Sequence, residues 1–138
     1  MKKVFIIPIL VIVIVAVAFK WWSMPIHFLS KVESNDIMRI DVFNGNTGKH
    51  FVIEDYENIN KITSSIQEIP MKKSKISVAY MGTLFELKFI NTEGKQVDKL
   101  IVNHYDTIRK DPFIYKGPSN NICLDLLIFI ESTIEEDK

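Results

Sequence analysis

A continuous apolar segment near the N-terminus constrains this chain more than any other feature. Residues 4–19 read VFIIPILVIVIVAVAF, preceded by two lysines and followed by the sequence KWW. A helix over the 19 residues Val4 to Trp22 is about 28 Å long, close to the ~30 Å hydrocarbon thickness of a bilayer. Because a helix satisfies its own backbone hydrogen bonds in lipid, the segment predicts a transmembrane helix within residues 1–22, with 4–22 in the bilayer.

The flanking residues predict the orientation of this helix. Trp21 and Trp22 fit an interfacial aromatic belt, with each ring among the headgroups. Lys2 and Lys3 should stay cytoplasmic by the positive-inside rule, although Lys20 and Lys31 on the other side make the charge difference small. We therefore predict a single-pass protein of the cell membrane whose C-terminal domain is extracytoplasmic.

Three other interpretations of the segment were weighed. A cleaved signal peptide has the same basic start, and Ala16-Val17-Ala18 resembles its cleavage site, but no polar break precedes that site. A lipoprotein is excluded because the single cysteine is Cys123, far from the apolar run. A buried core helix is disfavoured because the segment is hydrophobic on every face.

Composition limits what the remaining chain does. About 116 of the 138 residues follow the anchor, enough for one domain with a modest core. Without the three N-terminal lysines, 14 basic residues face 17 acidic ones, which argues against a surface for nucleic acid or anionic lipid. With one cysteine there is no intramolecular disulfide, so packing must supply the stability.

The first half of the domain, after a linker at residues 23–35, predicts a hairpin and a helix. Residues 36–43 and 50–54 alternate as strands around the polar loop 44–49, with Met38 on the buried face. A helix should begin after the N-cap Asp55 and end before Pro70. Its apolar stripe is Ile59, Ile62, Ile66 and Ile69, while Thr63, Ser64 and Gln67 are expected to face water.

The second half predicts more strands and a closing helix. Residues 71–75 form a basic turn, 76–80, 83–90 and 96–102 form strands, 103–110 is an irregular edge, and 113–115 is a short strand. A helix capped by Ser119 or Asn120 closes the chain, with the stripe Cys123, Leu127, Ile130 and Ile134. The fold class of residues 36–138 is α+β: an antiparallel sheet in the order ββα-βββ(β)-α, with two helices on one face and a wet face bearing Arg39, Glu86, Lys88 and Lys99.

Two glycine- and asparagine-rich patterns resemble ligand loops but fail their spacing. Gly45 to Lys49 has two residues between its glycines where a phosphate-binding loop needs four, and a strand follows instead of a helix. Asp41, Asn44 and Asn46 miss the spacing of a calcium loop and no glutamate closes it. Both patterns are better explained as a hairpin loop.

The soft metal ligands and candidate nucleophiles are scattered. His27, His50, His104 and Cys123 show no close ligand spacing, and Cys123 lies on an apolar stripe. His104 is followed by Tyr105 and Asp106. We interpret these residues as polar surface residues at the end of a strand, and the alternative is an acid–base cluster. We assign no catalytic, cofactor-binding or metal-binding residue, and we predict that the protein is not an enzyme.

Function is predicted at the level of binding. Aromatic residues are numerous, and a few exposed on one sheet face would form a site for a protein partner. The leading hypothesis is a sensor, immunity or envelope-associated module; the alternative is a small extracytoplasmic hydrolase or metal-dependent enzyme with a site assembled across strands. The aromatic residues in question are Tyr80, Phe85, Phe89, Tyr105, Phe113 and Tyr115.

The pattern over roughly residues 36–134 resembles an uncharacterised family of small membrane- or lipid-anchored proteins of Gram-positive (Firmicutes-type) bacteria. The shared features are the strand ending in Asn44-Gly45-Asn46-Thr47-Gly48-Lys49, the next strand with Asp55, the isoleucine-spaced helix, the lysine-rich turn and the aromatic-rich strands before a closing helix. This sequence departs from lipoprotein members because no cysteine follows its apolar run. The resemblance implies no activity and no functional residues.

Overall fold

A computed structural model of the chain describes residues 6–78, 82–119 and 123–136. The helices among them are α1 (Ile6–Ser23), α2 (Tyr56–Glu68) and α3 (Leu124–Glu136), with a short 3-10 turn at Ser34–Asp36. Seven antiparallel strands of the described part form one sheet in the order β2-β1-β4-β5-β6-β7-β3. The strands are β1 (Ile37–Asn44), β2 (Lys49–Ile53), β3 (Lys72–Ile76), β4 (Phe85–Asn91), β5 (Gln96–His104), β6 (Thr107–Lys110) and β7 (Phe113–Lys116). The predicted α+β class, with an apolar helix before an antiparallel sheet, is confirmed.

Helix α1 has the length and hydropathy to cross a membrane. Its 18 residues have a mean hydropathy of 2.3 and none is buried against the domain. Its one charged residue, Lys20, lies in the last turn. A signal sequence near the N-terminus has the same properties. The flanking Lys2 and Lys3 lie outside the described residues.

Helix α2 begins and ends where the sequence predicts. Asp55 is the N-cap, and its carboxylate accepts a hydrogen bond from the backbone N–H of Asn58 at 2.9 Å. The isoleucine stripe is buried, but none of the three residues predicted to face water is exposed, and Ser64 is half-buried. Thr63 is fully buried, and it lies one turn from Gln67 on the side of α2 that contacts the segment before the sheet. Gln67 is half-buried and bonded to the segment before the sheet.

The predicted β1–β2 hairpin is present, with a four-residue turn at 45–48. The Asn44 carboxamide oxygen accepts hydrogen bonds from the backbone N–H groups of Asn46 and Thr47, which closes the turn. One strand assignment is wrong in phase: Met38 is 41% exposed and Ile37 is buried. A register shift against β4 between Ile37 and Arg39 marks a β-bulge, which turns the preceding side chain to the core.

The predicted basic turn at residues 71–75 is wrong, because Lys72–Ile76 forms β3. Lysine has low strand propensity, but the backbone of this segment pairs with β7 at the edge of the sheet, where side chains need no burial. Of the strand predicted at 76–80, only Ile76 belongs to a strand; Ser77 and Val78 do not, and residues 79–80 lie outside the described part.

The later strands agree more closely with the sequence. β4, β5 and β7 match the predicted segments within about two residues at most ends. Residues 103–110, predicted as irregular, contain the end of β5, a turn at Tyr105-Asp106 and β6. Within the described residues, five strands therefore lie between α2 and α3 instead of the predicted three or four.

The closing helix begins at Leu124, so Ser119 is not its N-cap, and Asn120 lies outside the described residues. The predicted stripe is confirmed: Cys123, Leu127, Ile130 and Ile134 are all buried. α3 contacts β2 and α2, and α2 contacts β1. Both helices contribute to one hydrophobic core with the sheet.

Residues 23–35, predicted as a linker, are packed against the domain. Phe28 and Leu29 are 3% and 4% exposed, and the Phe28 ring lies edge-on to Tyr115. The backbone of Ile26 exchanges two hydrogen bonds with Met71, just before β3. The end of α1 is thereby held close to the β3 edge of the sheet.

Candidate functional site

The junction between α1 and the sheet is built from aromatic rings and one lysine. The Trp22 ring meets Phe113 of β7 edge-on, with the ring centroids 5.6 Å apart. Lys73 of β3 places its Nζ 3.2 Å from the centroid of the Trp21 ring. Because a cation is attracted to the negative face of an indole, this contact fastens the β3 edge to the last turn of α1.

The sheet face away from the core carries charges that pair with one another. Arg39 Nε lies 2.9 Å from Asp41 Oδ1, and Glu86 lies 3.2 Å from Lys88 Nζ and 3.5 Å from Lys99 Nζ. All of these side chains are partly exposed, so the ion pairs contribute little to stability. The four predicted solvent-facing residues thus lie on this face, but they form a polar surface and not an apolar one.

A groove of about 740 Å³ lies at the β2 edge of this face. Two cationic side chains, Arg39 and Lys88, line it together with His50. The carboxylates of Asp41, Glu54 and Asp55 also line it, with Asn58 of α2, so both signs of charge are present.

Strand β2 forms the floor of the groove and one edge of the sheet. Its single strand neighbour is β1, so the other edge of its backbone is unpaired with any described strand. Val52 is 48% exposed on this strand, and His50 stacks at 4.8 Å on the ring of Phe43. The edge therefore offers backbone hydrogen-bonding groups next to an exposed apolar side chain and several charges.

A second polar cluster lies at the end of β5. His104 Nδ1 is 3.3 Å from Asp106 Oδ1, and the His104 ring packs on Tyr105 at 4.8 Å. The backbone N–H of Cys123 donates to the Tyr105 carbonyl at 2.6 Å, so a cysteine lies beside the histidine–aspartate pair. Sequence spacing did not predict this proximity, because about twenty residues separate the two segments.

The thiol in this cluster is not activated. Cys123 is fully buried, and burial, with a smaller effect of the Asp106 carboxylate, raises the pKa of its thiol to about 12. A nucleophilic cysteine needs the opposite, an accessible thiol with a lowered pKa. The cluster therefore contains the residue types of a cysteine hydrolase, but its surroundings do not lower the pKa of the thiol.

The remaining candidate residues do not converge. His50 and His104 lie on strands separated by two others, about 14 Å apart at the usual strand spacing. His27 donates to the Gln67 carbonyl at 2.7 Å, away from both. Within the described ranges, no group of three or more histidine, cysteine or acidic residues is arranged to hold a metal ion.

Most of the aromatic residues considered for a partner surface belong to the core. Phe85, Phe89 and Tyr115 are buried, and Phe113 is half-buried. Tyr105 is 44% exposed, and Tyr80 lies outside the described residues. A partner surface on this sheet must therefore use other side chains, of which Val52 is the exposed apolar one in the groove.

Two features of the surface were missed from the sequence: the lysine-bearing edge strand beside Trp21 and the groove at β2. The lysine-rich residues 72–75 and the KWW sequence were both visible, but only the topology brings them together. No family model, no curated protein and no solved structure matches this chain, so the resemblance to anchored Gram-positive proteins remains a prediction.

Proposed function

We propose that this chain is a single-pass membrane protein whose α+β domain lies on the extracytoplasmic side and acts by binding, without catalysis. The apolar helix α1 supports the anchor, because none of its residues is buried in the described domain and its apolar side chains before the last turn are exposed and suit lipid. The close junction of α1 and β3 supports a domain held at the membrane surface. The protein would serve as a sensor, immunity or envelope-associated module.

The partner is proposed to be a protein that adds an extended segment to the edge of β2. The observation that carries this proposal is the unpaired edge of β2 beside the groove. An added strand gains main-chain hydrogen bonds along such an edge, and flanking pockets and charges select its side chains. The groove lining contains Arg39 and Lys88 as well as Glu54 and Asp55, and these charges would select partners with complementary charges.

The test is a pull-down from detergent-solubilised native membranes with the tagged full-length chain and two matched variants. Val52→Glu puts a charge on the exposed valine of the groove. Val97→Glu does the same at a valine of similar exposure, 43%, on β5 and outside the groove lining. We expect one co-purifying protein with the wild type and with Val97→Glu, and its loss with Val52→Glu.

Folding of each variant is checked by circular dichroism and thermal unfolding. Retention of the partner by folded Val52→Glu, or recovery of the bait alone from the wild type, would contradict the proposed site. Alkaline carbonate extraction of the membranes tests the anchor separately, since an integral protein stays in the pellet. Release of the intact chain into the supernatant would contradict the transmembrane role of α1.

A small hydrolase is the second candidate, and the contact of His104 with Asp106 beside Cys123 is the observation that favours it. In such an enzyme Asp106 would orient the imidazole, which would act as general base. The buried thiol argues against cysteine as its nucleophile. Loss of a measured hydrolytic activity in His104→Ala, with partner binding unchanged, would favour this candidate over the binding module.

A further inference from the structure

Lysines are concentrated where α1 meets the sheet. Lys72, Lys73 and Lys75 lie on β3, and Lys116 of β7 stands directly opposite Lys72 in the antiparallel pair. Like charges in directly opposed positions of a ladder repel each other and destabilise the pair. Asp106 offsets this repulsion in part, since its Oδ2 lies 3.3 Å from Lys116 Nζ.

The two opposed lysines line a small cavity next to the end of α1. The cavity has a volume of about 220 Å³, and Pro70, Pro118 and Pro25 form part of its wall. Pro25 is the second residue after the last residue of α1. Any group that enters this cavity lies close to the chain as it leaves the apolar helix, with two lysine residues in the lining.

The third lysine marks the depth of this edge relative to a membrane. Lys73 Nζ is 3.2 Å from the Trp21 ring centroid and 5.9 Å from that of Trp22. Tryptophan rings next to a transmembrane helix lie at the level of the lipid headgroups. If α1 spans the bilayer, as proposed above, the lysines of β3 lie at headgroup depth as well.

We infer that Lys72 and Lys116, at the β3 edge, bind the phosphodiester headgroup of an anionic phospholipid, in the leaflet where α1 ends. Lys73 follows Lys72 in the strand and points to the other face, towards Trp21. This inference rests on the proposed transmembrane role of α1. The phosphate oxygens accept hydrogen bonds from Lys72 and Lys116 and neutralise their repulsion. Lysine side chains close to a membrane surface are attracted to anionic lipid headgroups.

The headgroup contact also positions the site proposed for the protein partner. β3 and β2 are the two edges of the sheet, with five strands between them. Fixing the β3 edge at the headgroups leaves the β2 edge and its groove at the other side of the domain, open to an extracytoplasmic partner. The slightly acidic net charge of the domain argues against an anionic-lipid surface. A net charge, however, does not show that several lysines are clustered at one edge of the sheet.

The rival explanation of these lysines is that they protect an edge strand from pairing with other chains. Charged residues, lysine above all, are common on edge strands for that reason. Protection of an edge needs no lipid and therefore predicts the same behaviour in neutral and anionic membranes. Lipid dependence separates the two explanations.

The first experiment measures lysine acetylation in the full-length chain, reconstituted into nanodiscs of phosphatidylcholine alone or mixed with phosphatidylglycerol. We expect Lys72 and Lys116 to react about fivefold more slowly in the anionic discs, because a lysine bound to an anionic headgroup is shielded from the reagent. Lys49 and Lys95, on hairpins of other strands, should react equally in both. High salt should remove most of the difference. Equal rates at Lys72 and Lys116 in the two lipids would overturn the inference.

The second experiment compares lipids that co-purify with two double variants of equal charge. Lys72→Gln with Lys116→Gln should lose bound phosphatidylglycerol in mass spectrometry, while the control Lys49→Gln with Lys95→Gln should keep it. Retention by both would overturn the proposed site and leave the anchor intact, provided that carbonate extraction leaves the chain in the membrane. Extraction of the chain would instead contradict the anchor and the headgroup site together.

Discussion

Gln67 of α2 donates its side-chain amide to the carbonyl oxygen of Leu29 at 2.7 Å, and the same amide reaches the carbonyl of Val32 at 2.8 Å. Leu29 needs this support because its φ is +58°, a left-handed conformation that side chains other than glycine and asparagine seldom adopt. The amide therefore holds a strained turn, and with it Phe28, on the core. One side chain of α2 thus fixes the path of the chain between α1 and the sheet.

Replacing Gln67 with leucine should destabilise the domain by about 1–3 kcal/mol, because the Val32 carbonyl loses its side-chain donor and the Leu29 carbonyl keeps only the backbone N–H of Val32. The free energy of unfolding is measured by urea denaturation of the full-length chain in mild detergent. Gln96→Leu, at an exposed position of β5, is the matched control and should change stability by less than about 0.5 kcal/mol. Equal stability of the two variants would show that Gln67 does not hold the turn.

Gly45→Ala should destabilise the domain by about 1–3 kcal/mol, because overpacking forces the backbone to move. A Cβ on Gly45 would lie 1.9 Å from the carbonyl oxygen of Thr83, where the chain returns from β3 towards β4. Gly48→Asn is the control: nothing lies within 4 Å of its Cβ position, and asparagine tolerates its φ of +70°. A Gly45→Ala protein as stable as Gly48→Asn in urea would mean that the two segments are not in contact.

Thr63→Val should stabilise the domain by up to about 1 kcal/mol, the unusual direction for a substitution in a core. Thr63 is fully buried, and its hydroxyl has no hydrogen-bond partner among the described residues. Valine keeps the branched shape and removes the unsatisfied group. Thr92→Val, in the exposed turn before Gly94, should be neutral in the same urea titration. A loss of stability at position 63 would indicate that the hydroxyl is satisfied, for example by water.

Local patterns in the sequence predicted those elements whose causes are local. The N-cap Asp55, the isoleucine stripe of α2 and the hairpin turn at Asn44 depend on residues a few positions apart. Strand β4 is likewise predicted by the alternation of apolar and charged residues along its sequence. These features were predicted correctly because the groups that stabilise each of them lie close together in the sequence.

The wrong predictions concern features that depend on residues far apart in the sequence. Lys72–Ile76 is a strand because β7, some forty residues later, supplies its backbone partner, which no propensity of lysine indicates. The phase of Met38 is set by a bulge against β4. The groove and the lysine edge follow from the strand order, so neither was accessible to spacing arguments. Pairing across the sheet decided each of these cases.

The buried thiol gives a prediction about pH. The pKa of Cys123 is raised from 9.0 to about 12, so the folded domain keeps the thiol neutral at a pH where the unfolded chain releases the proton. Unfolding then releases a proton, and stability falls as the pH rises from about 9 towards 12, by up to about 1.4 kcal/mol per pH unit from this group. Below pH 9 the group should have no effect on the pH dependence. Urea titrations between pH 7 and pH 11 measure it.

Cys123→Ala separates this thiol from other groups that titrate at high pH, such as Tyr115, whose pKa is also raised by burial. The variant should be less stable at pH 7, because a cavity replaces the sulfur, but its stability should fall less steeply above pH 9. In the wild type, the same burial predicts very slow reaction with iodoacetamide at pH 8 until the protein is unfolded. Rapid labelling of the native thiol, or equal slopes for the two proteins above pH 9, would mean that Cys123 is accessible, and would return the His104–Asp106 cluster to consideration as a catalytic site.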